Sequence, residues 1–406
     1  MSSILNPDKK ILDLILNSWV DCMDNAYSMY DYCSDSIKKL RAFIPENMYL
    51  VRTKKNNFKY IDQHADIDNK NGEDLLFYVN KRNEDTFILM NPIPKNLKLN
   101  KENFKYINNK IWYVLNTDNV EKNENDKKFN EEYYLNENDI IKVGRVKYAV
   151  QKIFIRSEDL GEPPGPDIDI DYNISELNKN TLPVFDFVFE VDNDHYNINK
   201  NNNLTDIGEC KICQKNDINY EKSDEENPLI SLCNCKNLIH YKCLKKELNS
   251  KKEIKENIKK NVESMIFKNY ECPECSIPYP VKFKLPNIDK IFNLIDIKEP
   301  DNCDYMILES IDSKKNNQFY KSIHIIKLNQ ETFSIGRDKD NDIIEEDITI
   351  SLYQALLKLN NEKICIRNLN KKYGTLVLVK NPIKIFDKAI YLQVGKTYIE
   401  ARLLRQ

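Results

Sequence analysis

CKIC at 210–213, CNC at 233–235, HYKC at 240–243 and CPEC at 272–275 punctuate one 66-residue stretch, and their spacing decides what that stretch can become. Two residues between paired cysteines let one tight turn offer both thiolates to one metal, and zinc takes four soft or borderline ligands at tetrahedral corners. The eight ligands Cys210, Cys213, Cys233, Cys235, His240, Cys243, Cys272 and Cys275 therefore make two closed structural sites. In a cross-braced arrangement, Cys210 and Cys213 share one ion with His240 and Cys243, and Cys233 and Cys235 share the other with Cys272 and Cys275. No coordination position is left open for catalysis. The stretch has too few apolar residues for an ordinary core. Metal binding should supply much of its folding free energy, roughly 10 kcal/mol or more per site in zinc-finger peptides.

The surrounding chain is long, at 406 residues, which leaves room for two to four domains. Its 61 basic and 64 acidic residues give a net charge of -3, so no global electrostatic footprint for nucleic acid or an anionic membrane exists and any anion site must be local. Met1 to Val20 mixes acids and lysines with apolar residues and lacks the apolar core of a secretory signal. No run of about 18 apolar residues is present, so a soluble, cytoplasmic or nuclear protein is expected. Clustering of seven cysteines with one histidine favours metal over disulfides. Cys22, Cys33, Cys303 and Cys365 read as buried small hydrophobes, and His64, His195 and His324 as ordinary surface or core residues.

Outside the cysteine stretch the texture is mainly β. Residues 1–45 are the exception: Ile11, Leu14, Ile15 and Trp19 fall at helical spacing and predict an N-terminal helix. Short β-prone runs then occupy 46–157, and an acidic, Asn-rich linker with a possible strand at VFDFVF fills 158–203. The zinc module takes 204–285, with Lys245 to Ile266 read as a charged helical insertion, a linker follows at 286–302, and a β-rich region runs over 303–406. The expected fold class is thus multidomain and mainly β, with a small α+β zinc module.

CKIC, NPLISLCNC, IHYKCLKKEL and CPEC together resemble a RING-CH (RING-variant) finger, with cysteine in the fourth ligand position and histidine in the fifth. That resemblance implies a ubiquitin ligase that docks a charged ubiquitin-conjugating enzyme and has no covalent step of its own. It assigns the docking groove to Ile212, Leu248 and Pro273. The family's tryptophan after the sixth ligand is Glu247 here, and a carboxylate at that spot is a poor anchor. A PHD finger shares the ligand order and favours an aromatic where Tyr270 stands, but its third and fourth ligands are normally further apart than Cys233 and Cys235.

FSIGRDKDNDIIEEDITIS, followed by KICIRNL and NKKYGTLVL, resembles a forkhead-associated (FHA) domain, a β-sandwich whose end loops bind phosphothreonine. The resemblance assigns Arg337, Ser351, Lys371 and Lys372 to the phosphopeptide, and Gly336, Gly374 and Thr375 to loop structure. A guanidinium offers the forked, charge-assisted bonds a phosphate dianion needs. The family's second arginine, its structural histidine and its peptide-gripping asparagine are Leu352, Gln354 and Tyr373 here. Val143, Gly144 and Arg145 echo Val394, Gly395 and Lys396 as a closing-strand repeat, so 46–157 is either a degenerate FHA-like sandwich or a plain β-domain. The whole order resembles a protist group of RING-CH and FHA proteins.

Two functions follow from these resemblances. The leading expectation is a ligase or ligase adaptor, with a ubiquitin-conjugating enzyme on the finger and phosphothreonine proteins on the FHA domain. The alternative is a non-catalytic scaffold that keeps both folds as interaction surfaces. A nucleophile of its own is not expected, because every cysteine in the finger is committed to metal and no Ser/His/Asp grouping or phosphate-cradling glycine loop is present.

Overall fold

The computed structural model describes residues 10–18, 37–53, 57–62, 74–83, 86–91, 110–115, 132–156, 188–191, 209–215, 226–257, 261–311 and 314–405, apart from positions 234, 236, 287, 316–317, 361 and 370–373. Two compact units emerge. The first comprises Met1–Val150, Ile155–Pro183 and Gln330–Gln406, and the second Gln151–Phe154 and Val184–Asn329. Among the described residues no helix is long and apolar enough to cross a membrane.

Every sheet of the first unit interleaves strands from both ends of the chain. In one, the strand Ile111–Leu115 lies between Thr375–Leu378 and Ile390–Val394, and Ile140–Val143 pairs the other edge of Thr375–Leu378. The same sheet continues through Thr397–Arg405 to Lys10–Ser18 and then Lys38–Ile44. A second sheet runs Ile343–Ile344, Thr332–Gly336, Ala355–Asn360, Lys363–Asn368 and Glu132–Tyr134. A third sets Ile383–Ile385 against Thr86–Met90, followed by Asp74–Asn83, Met48–Arg52 and Phe58–Asp62. Most of the 46–157 and 303–406 segments, read from the sequence as separate domains, thus share one unit through residues up to Val150 and from Gln330 onward.

The N-terminal helix is also replaced. Lys10–Ser18 is a strand that registers along its whole length with Thr397–Arg405. A run such as ILDLIL satisfies both a 3.6 and a 2.0 period, and a long partner strand decides between them. Leu12, Leu14 and Leu16, spaced by two, are all fully buried. Asp13 between them is buried as well, held by Arg41 at 2.8 Å and Arg402 at 3.1 Å.

Two glycine turns close hairpins in this unit. Val143 pairs with Val146 across Gly144, at φ 60°, and Val394 pairs with Thr397 across Gly395, at φ 53°. Glycine at the first position of a two-residue loop suits a II′ turn, which follows the twist of the flanking strands. The sequence echo between VGR and VGK is therefore an echo of turn geometry.

In the second unit, Tyr305–Ile311, Gln318–Lys327, Val262–Lys268 and Lys252–Glu256 form an antiparallel series. This alters three sequence-based expectations. Residues 303–329 fold with the cysteine stretch and not with the C-terminal β-region. The charged segment after the helix is a hairpin, because Val262, Met265 and Phe267 bury themselves on pairing with Gln318–Lys327 and the Asn257 side chain caps the turn, accepting from the N–H groups of Asn261 and Val262 at 3.0 Å each. The 286–302 segment is no bare linker: Ile291–Asn293 pairs with Lys282–Lys284, and Phe292, Leu294 and Ile295 enter the core. On the other edge of Lys282–Lys284 lies Val188–Glu190, which overlaps the strand expected at VFDFVF; residues 184–187 lie outside the described residues. The single described helix, Tyr241–Ser250, buries Leu244 and Leu248 in that core.

Candidate metal centres and phosphate-binding loops

The eight sequence-assigned ligands gather into two groups, Cys210 with Cys213, His240 and Cys243, and Cys233 with Cys235, Cys272 and Cys275; within each group the donor atoms all lie within 4.8 Å of one another. This is the cross-braced pairing the spacing predicts. The two CxxC loops are built alike. Gln214 N–H donates to the Cys210 carbonyl at 2.8 Å and Ser276 N–H to the Cys272 carbonyl at 2.8 Å. The two cysteine N–H groups donate in turn to Lys215 and Ile277 carbonyls at 3.2 and 2.8 Å. Gln214 and Ser276 adopt positive φ, 56° and 53°, which turns each loop sharply enough to point both thiols inward.

The remaining ligands arrive on regular structure. Ile239–His240 pairs with Leu229–Ile230, and the helix starts at Tyr241, so His240 and Cys243 lie one turn apart at its head. The His240 N–H points at Cys210 Sγ, 3.4 Å away.

Donor spacing fits a tetrahedral ion. Sulfurs bound about 2.3 Å from a central zinc stand about 3.8 Å apart; Cys235 and Cys272 Sγ are 3.9 Å apart. Nδ1 of His240 is 3.3 Å from Cys213 Sγ and 3.9 Å from Cys243 Sγ, so this nitrogen faces the cluster. Electrostatics point the same way. Burial, with crowding by Cys272 and Cys275, pushes the Cys233 thiol up to about 11, and burial beside Cys213 and Cys210 pushes Cys243 up to about 12. Contact with Cys275, then burial, raises Cys235. For Cys210 burial also raises the value, but the N–H groups of Cys213, His240 and Ile212 outweigh it and the net shift is downward. Packed thiolates need a cation to stay ionised together. Every described cysteine is free of disulfide bonds.

Of the docking residues, Ile212 is 40% exposed and Pro273 is exposed, whereas Leu248 is 3% exposed and belongs to the core. A Lys211–Glu274 ion pair at 3.6 Å brings the tips of the two CxxC loops side by side. Glu247 is tied to Lys251 at 2.8 Å.

The C-terminal loops assemble around Gly336. Arg337 N–H donates to the Ser351 carbonyl at 2.9 Å and Asp338 N–H to the Leu352 carbonyl at 3.1 Å, so the two loops run alongside each other. A Cβ on Gly336 would stand 2.1 Å from the Leu352 carbonyl oxygen, which explains the glycine. Arg337 is exposed, with its Nε donating to the Ile350 carbonyl at 3.2 Å, and Ser351 is half-buried beside it. Lys371 and Lys372 lie outside the described residues. Gly374 has φ 65°, and its carbonyl accepts from Gln354 Nε2 at 2.9 Å. Gln354 and the Thr375 hydroxyl both donate to Asn368 Oδ1, at 3.2 and 3.0 Å. Fully buried Gln354 thereby ties the strand ends behind the loops together, a task its residue type did not disclose in the sequence.

Comparison with known proteins adds one finding. The family model for the FHA domain matches residues 333–397. No curated protein matches the chain.

Proposed function

We propose that this chain is a non-catalytic interaction protein in which a zinc-pinned module and an FHA-type surface present binding faces, the second of them to phosphothreonine. The donor count supports a structural metal role: each group gathers four donors within 4.8 Å, the number a closed tetrahedral site uses, which would leave no position for substrate. Zinc, held by Cys210, Cys213, His240 and Cys243 and by Cys233, Cys235, Cys272 and Cys275, would supply structure and no chemistry. The phosphate-reading part is supported by the FHA match and by Arg337, whose exposed guanidinium stands beside Ser351 at the loop end.

The test is binding of the full-length, metal-loaded protein to a phosphothreonine peptide library and its dephosphorylated counterpart. Arg337→Ala should weaken phosphate-dependent binding tenfold or more. Equal binding by parent and variant would remove the phosphate-reading role.

A second reading, a RING-CH ligase docking a ubiquitin-conjugating enzyme, is favoured by the exposure of Ile212 and Pro273 on neighbouring loop tips. Burial of Leu248 and the pairing of Glu247 weigh against it. Chain formation with any member of a panel of conjugating enzymes would support this role; silence with all of them would retire it.

A further inference from the structure

The FHA match begins at residue 333, yet the loop that carries Ser351 is fastened by residues about two hundred positions earlier in the chain. Arg145, in the glycine turn between Val143 and Val146, sends a forked guanidinium onto Asp347. Nη2 lies 2.7 Å and Nε 3.2 Å from Oδ2, with Nε 3.3 Å from Oδ1. Its backbone N–H donates to Thr349 Oγ1 at 2.8 Å. That hydroxyl donates onward to Asp347 Oδ1 at 2.6 Å, and the Thr349 N–H reaches the same oxygen at 2.9 Å. Two residues beyond the turn neighbour, Tyr148 donates its buried hydroxyl to Glu345 at 2.8 Å. Gly144 is pressed so closely that a Cβ would meet Thr349 Oγ1 at 2.6 Å and Ile350 Cγ1 at 2.7 Å. The segment 345–349 is therefore bonded at both ends and in its middle by one short hairpin.

From this geometry we infer that Arg145 is a positioning residue for phosphate recognition: through Asp347 and Thr349 it fixes the loop whose Ile350 and Ser351 carbonyls hold Arg337. The inference rests on the phosphate-reading function proposed above. It differs from a general packing role in what it orders. Ile350 N–H donates to the Asp347 carbonyl at 3.0 Å, Arg337 Nε to the Ile350 carbonyl at 3.2 Å, and Arg337 N–H to the Ser351 carbonyl at 2.9 Å, so a loop released at Asp347 releases the phosphate-binding guanidinium with it. A lysine at 145 would keep the charge and lose the fork, since an ammonium presents a point charge where the guanidinium presents two parallel donors.

The experiment compares full-length, metal-loaded parent, Arg145→Met, Arg145→Lys and Arg337→Ala in two readouts, phosphothreonine-library binding and amide hydrogen exchange. Arg145→Met should lower Arg337-dependent affinity tenfold or more and speed exchange at Thr349–Ser351 and Arg337, while Thr397–Arg405 keeps its protection. Arg145→Lys should recover part of both. Unchanged exchange at Thr349–Ser351 in Arg145→Met overturns the inference whatever happens to binding, and a uniform rise across the unit overturns it in favour of a merely structural role. Absence of phosphate-dependent binding in the parent overturns it by a different route, through the proposed function, and is recognised by Arg337→Ala also having no effect.

Discussion

The two metal groups should answer acidification differently, and the difference can be worked from their donors. The group of Cys233, Cys235, Cys272 and Cys275 offers four thiols, and that of Cys210, Cys213, His240 and Cys243 offers three and an imidazole. In the metal-free fold burial and crowding hold Cys233 and Cys243 near 11 and 12 and raise Cys235, so these are neutral thiols at pH 7. Metal binds the thiolates, and binding therefore expels protons. Apparent affinity rises with pH and falls on acidification, by about tenfold per pH unit for each proton displaced. The all-cysteine group displaces up to about four protons and loses up to about 10,000-fold per unit; above about pH 7, where an ordinary imidazole is neutral, the histidine-containing group displaces up to about three and loses up to about 1,000-fold. Cobalt substitution distinguishes the sites, because four-sulfur and three-sulfur-one-nitrogen coordination differ in their charge-transfer and ligand-field bands. A chelator competition followed between pH 7 and 8 should show the four-sulfur site losing affinity on acidification with a slope steeper by about one proton. Equal slopes, or a spectrum without a four-sulfur component, would refute the ligand pairing on which the fold of this region rests.

Three further outcomes are expected. His324 is fully buried with its value pushed down to about 4 by burial, so it is neutral in the fold and charges on unfolding; its contribution is intact above about pH 6.5 and lost as pH falls towards 4. The parent should lose about 3 kcal/mol more than His324→Gln over that range in denaturant titrations. Gly336→Ala should cost about 3 kcal/mol, since its Cβ would meet a backbone oxygen that cannot rotate away, and an unchanged denaturation midpoint would show the loops to be looser than described. At Asp13 burial raises the carboxyl value, but hydrogen bonds from Arg41 and Arg402 outweigh it and the net shift is downward, so its stabilisation is present above about pH 4 and lost as pH falls through the lowered value. Asp13→Asn should cost about 2 kcal/mol at pH 7, a modest figure because both arginines are partly exposed, and a stability curve that still matches the parent at pH 7 would count against the ion pairs.

What the sequence disclosed and what it withheld divide along a physical line. Metal ligation is local in its chemistry: spacing limits which cysteines can share an ion, and all eight donors meet in the expected groups. Gly336 and Gly374 were named through the family resemblance; a Cβ at 336 would stand 2.1 Å from a backbone oxygen, and 374 has φ 65°. Strand partners were not legible. Lys10–Ser18 satisfied a helical period as well as a strand period, and nothing within its own residues could reveal that Thr397–Arg405 would lie beside it. The segment 286–302 read as a bridge between two regions, yet Phe292, Leu294 and Ile295 all reach the core. Leu248 matched a docking pattern by position in the sequence, while its helix face was set by a core assembled from distant strands.

The interleaving in the first unit has its own logic. Residues 333–397 match a family whose members are sandwiches, but here the matched segment cannot close a sheet by itself: Ile111–Leu115 fills the place between Thr375–Leu378 and Ile390–Val394, and Glu132–Tyr134 covers the edge of Lys363–Asn368. Unpaired edges are where a β-protein aggregates or exchanges partners, and a chain that supplies its own covering strands removes that hazard at the cost of a long loop closure. Loop-closure cost grows only with the logarithm of length, by about 0.6 kcal/mol per doubling, whereas every covered edge gains backbone bonds and buried side chains along several residues. Intervening sequence is therefore cheap, and the whole unit that carries the cysteine clusters can be inserted between the two halves of the first unit without undoing it. The same economy explains why a turn at Gly144 can serve a loop at Ser351: once the strands on either side of the insertion are paired, residues far apart in the chain are fixed neighbours, and this unit is as much a product of its N-terminal strands as of the segment that the family model matches.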